Sequence, residues 1–329
     1  MKRIIARYRS GKVKVYIGSG LLKKLNLFLP TGNIFVITDE NVGKLYLEAL
    51  HNILPEASIY IVGSGDSHKT ISTVESIVLR LLALGFTKTD TILGFGGGMI
   101  TDLSGFVAAT YKRGCDLVTV PTSLLAQVDS ALGGKCAVNC GKYKNQIGTY
   151  YHPRFVVVDP DFIKTLPKEE YLSGLAEIIK YGLVFDRTLF NLLFNNFTLS
   201  EVIYRSLLIK AQITARDEFD KKERIMLNYG HTIGHAIESL SEFKVKHGIA
   251  VAVGMYYETK DEKIRHRLLK LYNQLGFDID IPFSREMILA YIRQDKKISG
   301  DMISLPVLKD IGKAQIVNIS VEEFIRGIL

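Results

Sequence analysis

Five short runs rich in β-branched and aromatic residues, at 34–37, 59–62, 91–95, 117–120 and 155–158, recur through the first half of this chain. Helix-period stretches such as 73–84 separate several of them. No other feature constrains the fold as much. Antiparallel strands can be joined by tight turns, but parallel strands need a long crossover, usually a helix. Strands alternating with helices therefore predict a largely parallel sheet covered on both faces. Ahead of this pattern, residues 2–8 and 12–17 alternate apolar and polar side chains about Ser10-Gly11 and read as a β-hairpin.

After Asp159-Pro160 the texture changes. Residues 172–183, 199–219, 225–240, 250–275 and 285–293 carry apolar positions at helical spacing, and only 303–308 and 314–317, turning at 310–312, read as strands. The expectation is two domains: an α/β domain with a Rossmann-like, largely parallel sheet over residues 1–160, and a mostly α-helical domain over 161–329. A cleft between such domains is a usual place for an active site. A chain of 329 residues is long enough for both cores.

Several function classes lose support at this point. No apolar run approaches the roughly 20 residues of a membrane span. The N-terminal MKRIIARYRSGKVKVYIG lacks the apolar centre of a signal peptide, so a cytoplasmic protein is expected. Cys115, Cys136 and Cys140 form no CxxC pair and suggest neither a disulfide framework nor a thiolate zinc site. The formal charge of +8 is dispersed along the chain. Dispersed lysines suit an acidic small molecule or a solvated surface, and no nucleic-acid-binding signature accompanies them.

Three constellations carry chemistry. Gly96, Gly97 and Gly98 follow a strand and precede a helix, where glycines let a backbone approach a pyrophosphate and a helix N-terminus favours its charge. A structural tight turn is the bland alternative. The loops Thr38-Asp39-Glu40-Asn41, Gly65-Asp66-Ser67-His68-Lys69 and Pro121-Thr122-Ser123 also sit at strand ends, and together they point to a dinucleotide. In NYGHTIGH, helical spacing would place Asn228, His231 and His235 on one face, and His247 adds a third imidazole. Two histidines at this spacing either grip one metal or divide ligation from acid–base work; two core or surface histidines on one helix are the plain alternative. Glu177 and Lys180, in GLAEIIKYG, share a helical face that is too apolar to display them for solubility alone, and a Glu with two His would leave positions on a zinc ion open to substrate. Finally, QVDSALGGKCAVNCGKYKNQIG reads as a polar, lysine-rich loop whose Asp129, Lys135, Lys144 and Asn145 suit a phosphate or carboxylate.

In their order and spacing, GGGMITDLSGFVAATYKRG, VPTSLLAQVDSALGGKCAVNCGKYKNQIG, IKTLP, GLAEIIKYG, LNYGHTIGHAIE and HGIAVAVGM resemble the 3-dehydroquinate synthase family, from about Asp39 to Gly312. The resemblance implies that Glu177, His231 and His247 ligate Zn²⁺ (or Co²⁺). It implies Asp129, Lys180 and Asn228 around the substrate hydroxyls, and Lys210 and Arg224 facing its carboxylate. Lys135, Asn145, His235 and Lys296 would hold its phosphate, with Arg113 delivered from the partner in a homodimer. NAD would lie on Gly96, Gly97 and Gly98, with Asp39, Asn41, Asp66, Lys69, Asp102, Thr122, Ser123, Lys144 and Thr165 around it. The implied reaction converts an acidic sugar phosphate, 3-deoxy-D-arabino-heptulosonate 7-phosphate, to 3-dehydroquinate. It proceeds by transient oxidation, phosphate elimination, reduction and aldol closure, in the shikimate route to aromatic amino acids.

The chain departs from the family pattern at Thr101, where a glycine is usual, at Asp66 and Asp220 in place of glutamates, and at Ile249 in place of an acid. The segment 257–275 is also shorter than usual. Two other readings compete: a related sugar-phosphate cyclase acting on a substrate without a carboxylate, and a metal-dependent polyol dehydrogenase. Lys210, Arg224, Asn228 and His235 argue against the first, and the Glu177-x-x-Lys180 pair with the lysine-rich segment against the second.

Overall fold

A computed structural model describes residues 1–141, 143–281, 283–294 and 302–328. The chain divides into two compact units. The first holds Met1–Leu166 with Lys210–Phe219, and the second Pro167–Ile209 with Asp220–Leu329.

The first unit is built on a seven-stranded sheet. Its strands are β1 (Lys2–Tyr8), β2 (Gly11–Ile17), β3 (Ile34–Asp39), β4 (Ser58–Val62), β5 (Thr91–Gly96), β6 (Asp116–Pro121) and β9 (Phe155–Val158). They lie in the order β1-β2-β9-β6-β5-β3-β4. Only the β1–β2 hairpin is antiparallel; every other pairing is parallel. The central strands are buried on both faces, as a sheet covered by crossover helices must be. Phe35, Ile37, Ile92 and Leu117 pack on one side against Ile77, Leu81, Leu103 and Val107. Their neighbours Val36, Leu93 and Val118 point the other way, toward Leu50 and Phe162. After β3 the chain runs outward to β4 and then returns past β3 to form β5, so the winding reverses between β3 and β5. Ligands of open α/β sheets gather at such a switch point, beyond the carboxyl ends of the strands.

A second, two-stranded sheet corrects the sequence reading. The lysine-rich segment expected as a loop forms the hairpin β7 (Lys135–Cys140) and β8 (Tyr143–Tyr150). Its period-2 pattern holds through Asn139: Cys136 and Val138 are buried, Lys135 is exposed and Ala137 and Asn139 are half-buried, until the register shifts between Val138 and Cys140.

The second unit is helical, with a hairpin of β10 (Met302–Asp310) and β11 (Lys313–Ser320). Its core joins Ile233, Ile237, Ala250, Val253, Ile288, Ile292, Leu305 and Phe324. Two stretches expected as single helices are divided. Residues 225–240 become a 3₁₀ turn, Glu223–Asn228, and a helix, His231–Leu240, because Gly230 takes a left-handed conformation at φ +79°. Residues 250–275 become His247–Glu258 and Glu262–Leu275; Asp261 caps the latter by accepting from the Lys263 and Ile264 N–H groups, both at 2.9 Å. Among the described residues no helix is long and apolar enough to cross a membrane.

Candidate active site

In the first unit, the switch point brings together two of the expected loops. Asp39 ends β3 and caps the helix Glu40–Ile53, accepting from Asn41 N at 2.9 Å and Val42 N at 3.1 Å. One carboxylate oxygen is thereby committed to its own helix. Across the switch, β5 runs into Gly96, Gly97 and the helix Gly98–Thr110, which has no side-chain cap. Its first-turn N–H groups are the kind of orphan donors that an anion satisfies. A β-carbon on Gly98 would stand 3.3 Å from the Ser130 hydroxyl, and one on Gly97 3.4 Å from that of Ser123. The glycines keep this cradle open against neighbouring side chains. Thr122 N donates to Gly96 O at 2.9 Å and ties the loop after β6 to it. Thr101 is accommodated because its hydroxyl donates back to Gly98 O at 2.9 Å and meets Ser130 Oγ at 3.3 Å.

Beside the cradle, Lys69 organises a polar network. Its buried ammonium lies 2.9 Å from Asp102 Oδ2 and 2.6 Å from Asn145 Oδ1, with Asp66 at 3.4 Å. Asp66 also accepts from Asn139 Nδ2 at 3.0 Å and lies 3.7 Å from Lys144. Burial opposes charge on both Asp66 and Lys69. On Lys69 the pull of Asp102 and Asp66 wins and raises its pKa; on Asp66, Lys69, Asn139 and Lys144 together lower it. Asp102 stays above the usual carboxylate range because burial outweighs Lys69 beside it. Asn145 holds a left-handed φ of +55°, with its N–H bound to Asn139 Oδ1 at 3.0 Å, so its amide is aimed by the hairpin backbone. Lys210 is buried and donates to Asp129 twice, to the backbone oxygen at 2.6 Å and to Oδ1 at 2.8 Å. Tyr46 and Thr165 share a hydroxyl hydrogen bond of 2.7 Å. Arg113 is exposed in a turn where it and Lys112 both have positive φ.

The second unit supplies the other cluster. Glu177 and Lys180 lie on the helix Lys168–Val184, in a run from 172 to 184 that is buried throughout. They form an ion pair within it. Burying both charges is expensive, and an apolar pair of similar volume would serve stability as well or better. The pair is a feature that packing alone does not call for. Glu177 Oε1 lies 3.6 Å from His231 Nε2 and 3.6 Å from His247 Nε2. These separations are too long for hydrogen bonds. They suit ligands sharing one cation, since tetrahedral donors about 2.1 Å from a zinc ion stand about 3.4 Å apart. The three donor atoms lie within 4.8 Å of one another.

The imidazoles are set from behind. His231 Nδ1 meets Tyr229 O at 3.1 Å, which fixes the proton on Nδ1 and leaves the Nε2 lone pair facing Glu177. Burial, then Lys180, hold the His231 pKa well below its usual value, so the ring is neutral. His247 Nδ1 lies 3.3 Å from Glu238 Oε2. Burial disfavours an imidazolium at His247, but Glu177 and Glu238 outweigh it and push the pKa to about 10. A bound metal ion would therefore displace a proton from His247. Burial also opposes charge on Glu177, yet Lys180 and the two imidazoles hold it well below the carboxylate range.

Placement of the remaining expected residues is mixed. Asn228 does not share a helix face with His231 and His235; it ends the 3₁₀ turn before Gly230 and is exposed. His235 stacks edge-on to His231 at 5.4 Å and is exposed. Arg224 is buried in the second unit and Lys135 is exposed at the start of β7 in the first. Lys296 lies outside the described residues. Glu238 is a further residue of this cluster that the sequence motifs do not single out; it follows His231 by seven residues and His235 by three, which places all three on one helical face.

Residues 59–173 match the 3-dehydroquinate synthase N-terminal family and residues 174–298 the 3-dehydroquinate synthase C-terminal family. The 3-dehydroquinate synthase of Dictyoglomus thermophilum is 39% identical, over 100% of this chain and 98% of that protein. That of Saccharolobus solfataricus is 38% identical, over 98% and 97%. A crystal structure of 2-deoxy-scyllo-inosose synthase, complexed with carbaglucose-6-phosphate, NAD⁺ and Co²⁺, is similar at a TM-score of 0.88. It has 26% identity and 99% of each chain is covered. A 2-epi-5-epi-valiolone synthase from Streptomyces hygroscopicus with NAD⁺ and Zn²⁺ bound is similar at 0.86, with 25% identity over 96% of this chain and 95% of that one. An iron-containing alcohol dehydrogenase, at a TM-score of 0.66 and 16% identity over 96% of each chain, shares the fold alone. The chain belongs to the 3-dehydroquinate synthase family.

Proposed function

We propose that this protein is a carbon–oxygen lyase that converts 3-deoxy-D-arabino-heptulosonate 7-phosphate to 3-dehydroquinate and phosphate, as a cytoplasmic homodimer. Residues 1–160 would bind NAD, and 161–329 the metal and much of the substrate. One observation carries this reading: the carboxylate of Glu177, in the buried run 172–184 of its helix, faces two imidazole nitrogens from other segments at 3.6 Å, a donor set with the spacing of Zn²⁺ or Co²⁺ ligands. When bound, the cation would supply Lewis acidity toward a substrate hydroxyl, and NAD a transient, reversible hydride acceptor.

The protein's own residues hold and steer the substrate. Lys180, paired with Glu177, offers its ammonium to a substrate oxyanion, and Asn228 and Asp129 hydrogen-bond neighbouring hydroxyls. Lys210 and Arg224 receive the carboxylate; Lys210 is already held in place by Asp129. Lys135, Asn145, His235 and Lys296 receive the phosphate, together with the same chain's Arg113 contributed from a second copy. The exposed left-handed turn at Lys112 and Arg113 is compatible with a residue presented outward. The open glycine cradle receives the dinucleotide pyrophosphate, flanked by Asp39, Asn41, Thr122, Ser123 and Thr165, and the Lys69–Asp102–Asp66–Lys144 network receives the rest. Such preorganised charge stabilises oxyanions without reorganisation at the moment of reaction.

The purified protein with NAD and Zn²⁺ is expected to release phosphate from the heptulosonate phosphate without net NADH accumulation. Steady NADH formation from a simple polyol would replace this reading with a dehydrogenase. Turnover only of a sugar phosphate lacking the carboxylate would replace it with another cyclase.

A further inference from the structure

We propose that Glu258 is a positioning residue for the His231 ligand, acting through the backbone from which that histidine projects. The inference rests on the cation site proposed above. The helix His231–Leu240 begins after Gly230 with no side-chain cap from its own sequence. Its first turn would leave N–H groups buried without acceptors, which is costly in the interior. Glu258, the last residue of the helix His247–Glu258, supplies the acceptors. It is buried, its Oε2 accepts from Gly230 N at 2.7 Å, and its Oε1 is reached by Ile233 N at 3.5 Å.

A second tie holds the same turn from the other side of Gly230. Tyr229 hydroxyl meets Thr259 Oγ1 at 2.6 Å, and Thr259 Oγ1 bonds Met255 O at 2.6 Å. A β-carbon on Gly254 would collide with Gly230 O, so the backbones of the turn and of this helix are in direct contact. Tyr229 is the residue whose carbonyl orients His231 at 3.1 Å. The C-terminal end of one helix thus grips both the residue that aims His231 and the peptide that starts its helix. The N-terminal end of that gripping helix is His247 itself. Glu258 stands about 16 Å along the helix from His247, at 1.5 Å per residue, so it does not reach that ligand. It makes one rigid element set the positions of two of the three ligands.

The test uses the metal alone. Apo protein is titrated with Co²⁺ against a competing chelator, the visible Co²⁺ absorption is recorded, and thermal unfolding is followed separately. Glu258→Met removes both acceptors at similar volume and is expected to weaken Co²⁺ binding about 10–100-fold, the range usual for loss of outer-shell support, and to alter the absorption bands. Glu258→Gln retains one acceptor oxygen and is expected to fall between Met and the parent, about three- to tenfold weaker. A capping role confined to stability would lower the melting temperature of the apo protein and leave Co²⁺ affinity and spectrum unchanged. Either folded variant binding Co²⁺ within twofold of the parent, with the parent's spectrum, overturns the proposal; Glu258→Gln decides alone if Glu258→Met does not fold. A parent protein that binds no Co²⁺ sinks the cation site itself, and this assignment with it.

Discussion

Gly248→Ala asks whether the approach of two helices sets the metal grip. The helix that begins at His247 starts against the backbone of Ser173, on the helix that carries Glu177, and Gly248 N donates to Ser173 Oγ at 3.0 Å. A β-carbon at 248 would lie 2.6 Å from the Ser173 carbonyl carbon, with its Cα and oxygen nearer still. Non-bonded carbons settle at about 3.5–4.0 Å, so one backbone must retreat by about 1 Å. Both obstacles are main chain, so no rotamer change relieves the clash. Overpacking of this kind costs about 1–3 kcal/mol, and a backbone clash belongs at the upper end. Alanine's better helix propensity returns up to about 1 kcal/mol. A net loss of about 2 kcal/mol lowers the melting temperature by about 4–8 °C for a unit of this size. The same retreat carries His247 away from Glu177, now 3.6 Å distant, and a displaced ligand should weaken Co²⁺ binding at least about tenfold. Calorimetry and chelator-competition titration read the two effects separately. A Gly248→Ala protein with the parent's melting temperature and Co²⁺ affinity would show that the Ser173 contact does not set the ligand spacing.

Glu177→Gln leaves the buried Lys180 ammonium without its anion; apo stability should fall by about 3–5 kcal/mol and bound zinc should be lost, by calorimetry and metal analysis. Unchanged metal content would remove Glu177 from the site. Lys69→Met strips the donor shared by Asp102 and Asn145, and NAD affinity measured by fluorescence titration should weaken about tenfold; unaltered NAD binding would detach this network from the nucleotide. Burial pushes the thiols of Cys115 and Cys136 up to about 12, so at pH 8 only about one molecule in 10⁴ carries either thiolate. A disulfide-exchange reagent should therefore titrate exposed Cys140 rapidly and the other two only after denaturation, with their rates rising toward higher pH; rapid release of three equivalents from native protein contradicts the burial argument.

The parallel sheet was legible because its signal is local. A strand buried on both faces reads as an uninterrupted apolar run, and β5 and β9 show this plainly. The failures have local causes too. The helical spacing of Asn228, His231 and His235 was sound arithmetic, but it ran through Gly230, whose left-handed backbone ends one element and starts another. The β7–β8 hairpin was hidden by its lysines, which drew attention to charge while Cys136 and Val138 kept the two-residue period of a strand. Asp261, an ordinary cap, sits inside a long apolar-periodic stretch, so by pattern alone two helices read as one.

Long-range contacts account for what no pattern could reveal. Nothing in MYYETK marks Glu258 as the acceptor for Gly230, since the two are 28 residues apart and the helix between them reads as a plain core helix. The same holds for Ser173, whose importance lies in a backbone that Gly248 approaches 75 residues later. Ligand identity is a matter of side-chain chemistry and spacing, so it reaches the sequence as a motif. Ligand position is a matter of how closely backbones meet, and the residues that govern it are those with no side chain to notice, or those whose side chain serves another segment. A substitution at Glu258, Ser173 or Gly248 would leave every residue of the donor set in place and still degrade the site. By this reasoning, a relative that keeps Glu177, His231 and His247 but loses the contacts at Gly230 and Gly248 should bind its cation weakly despite an intact motif.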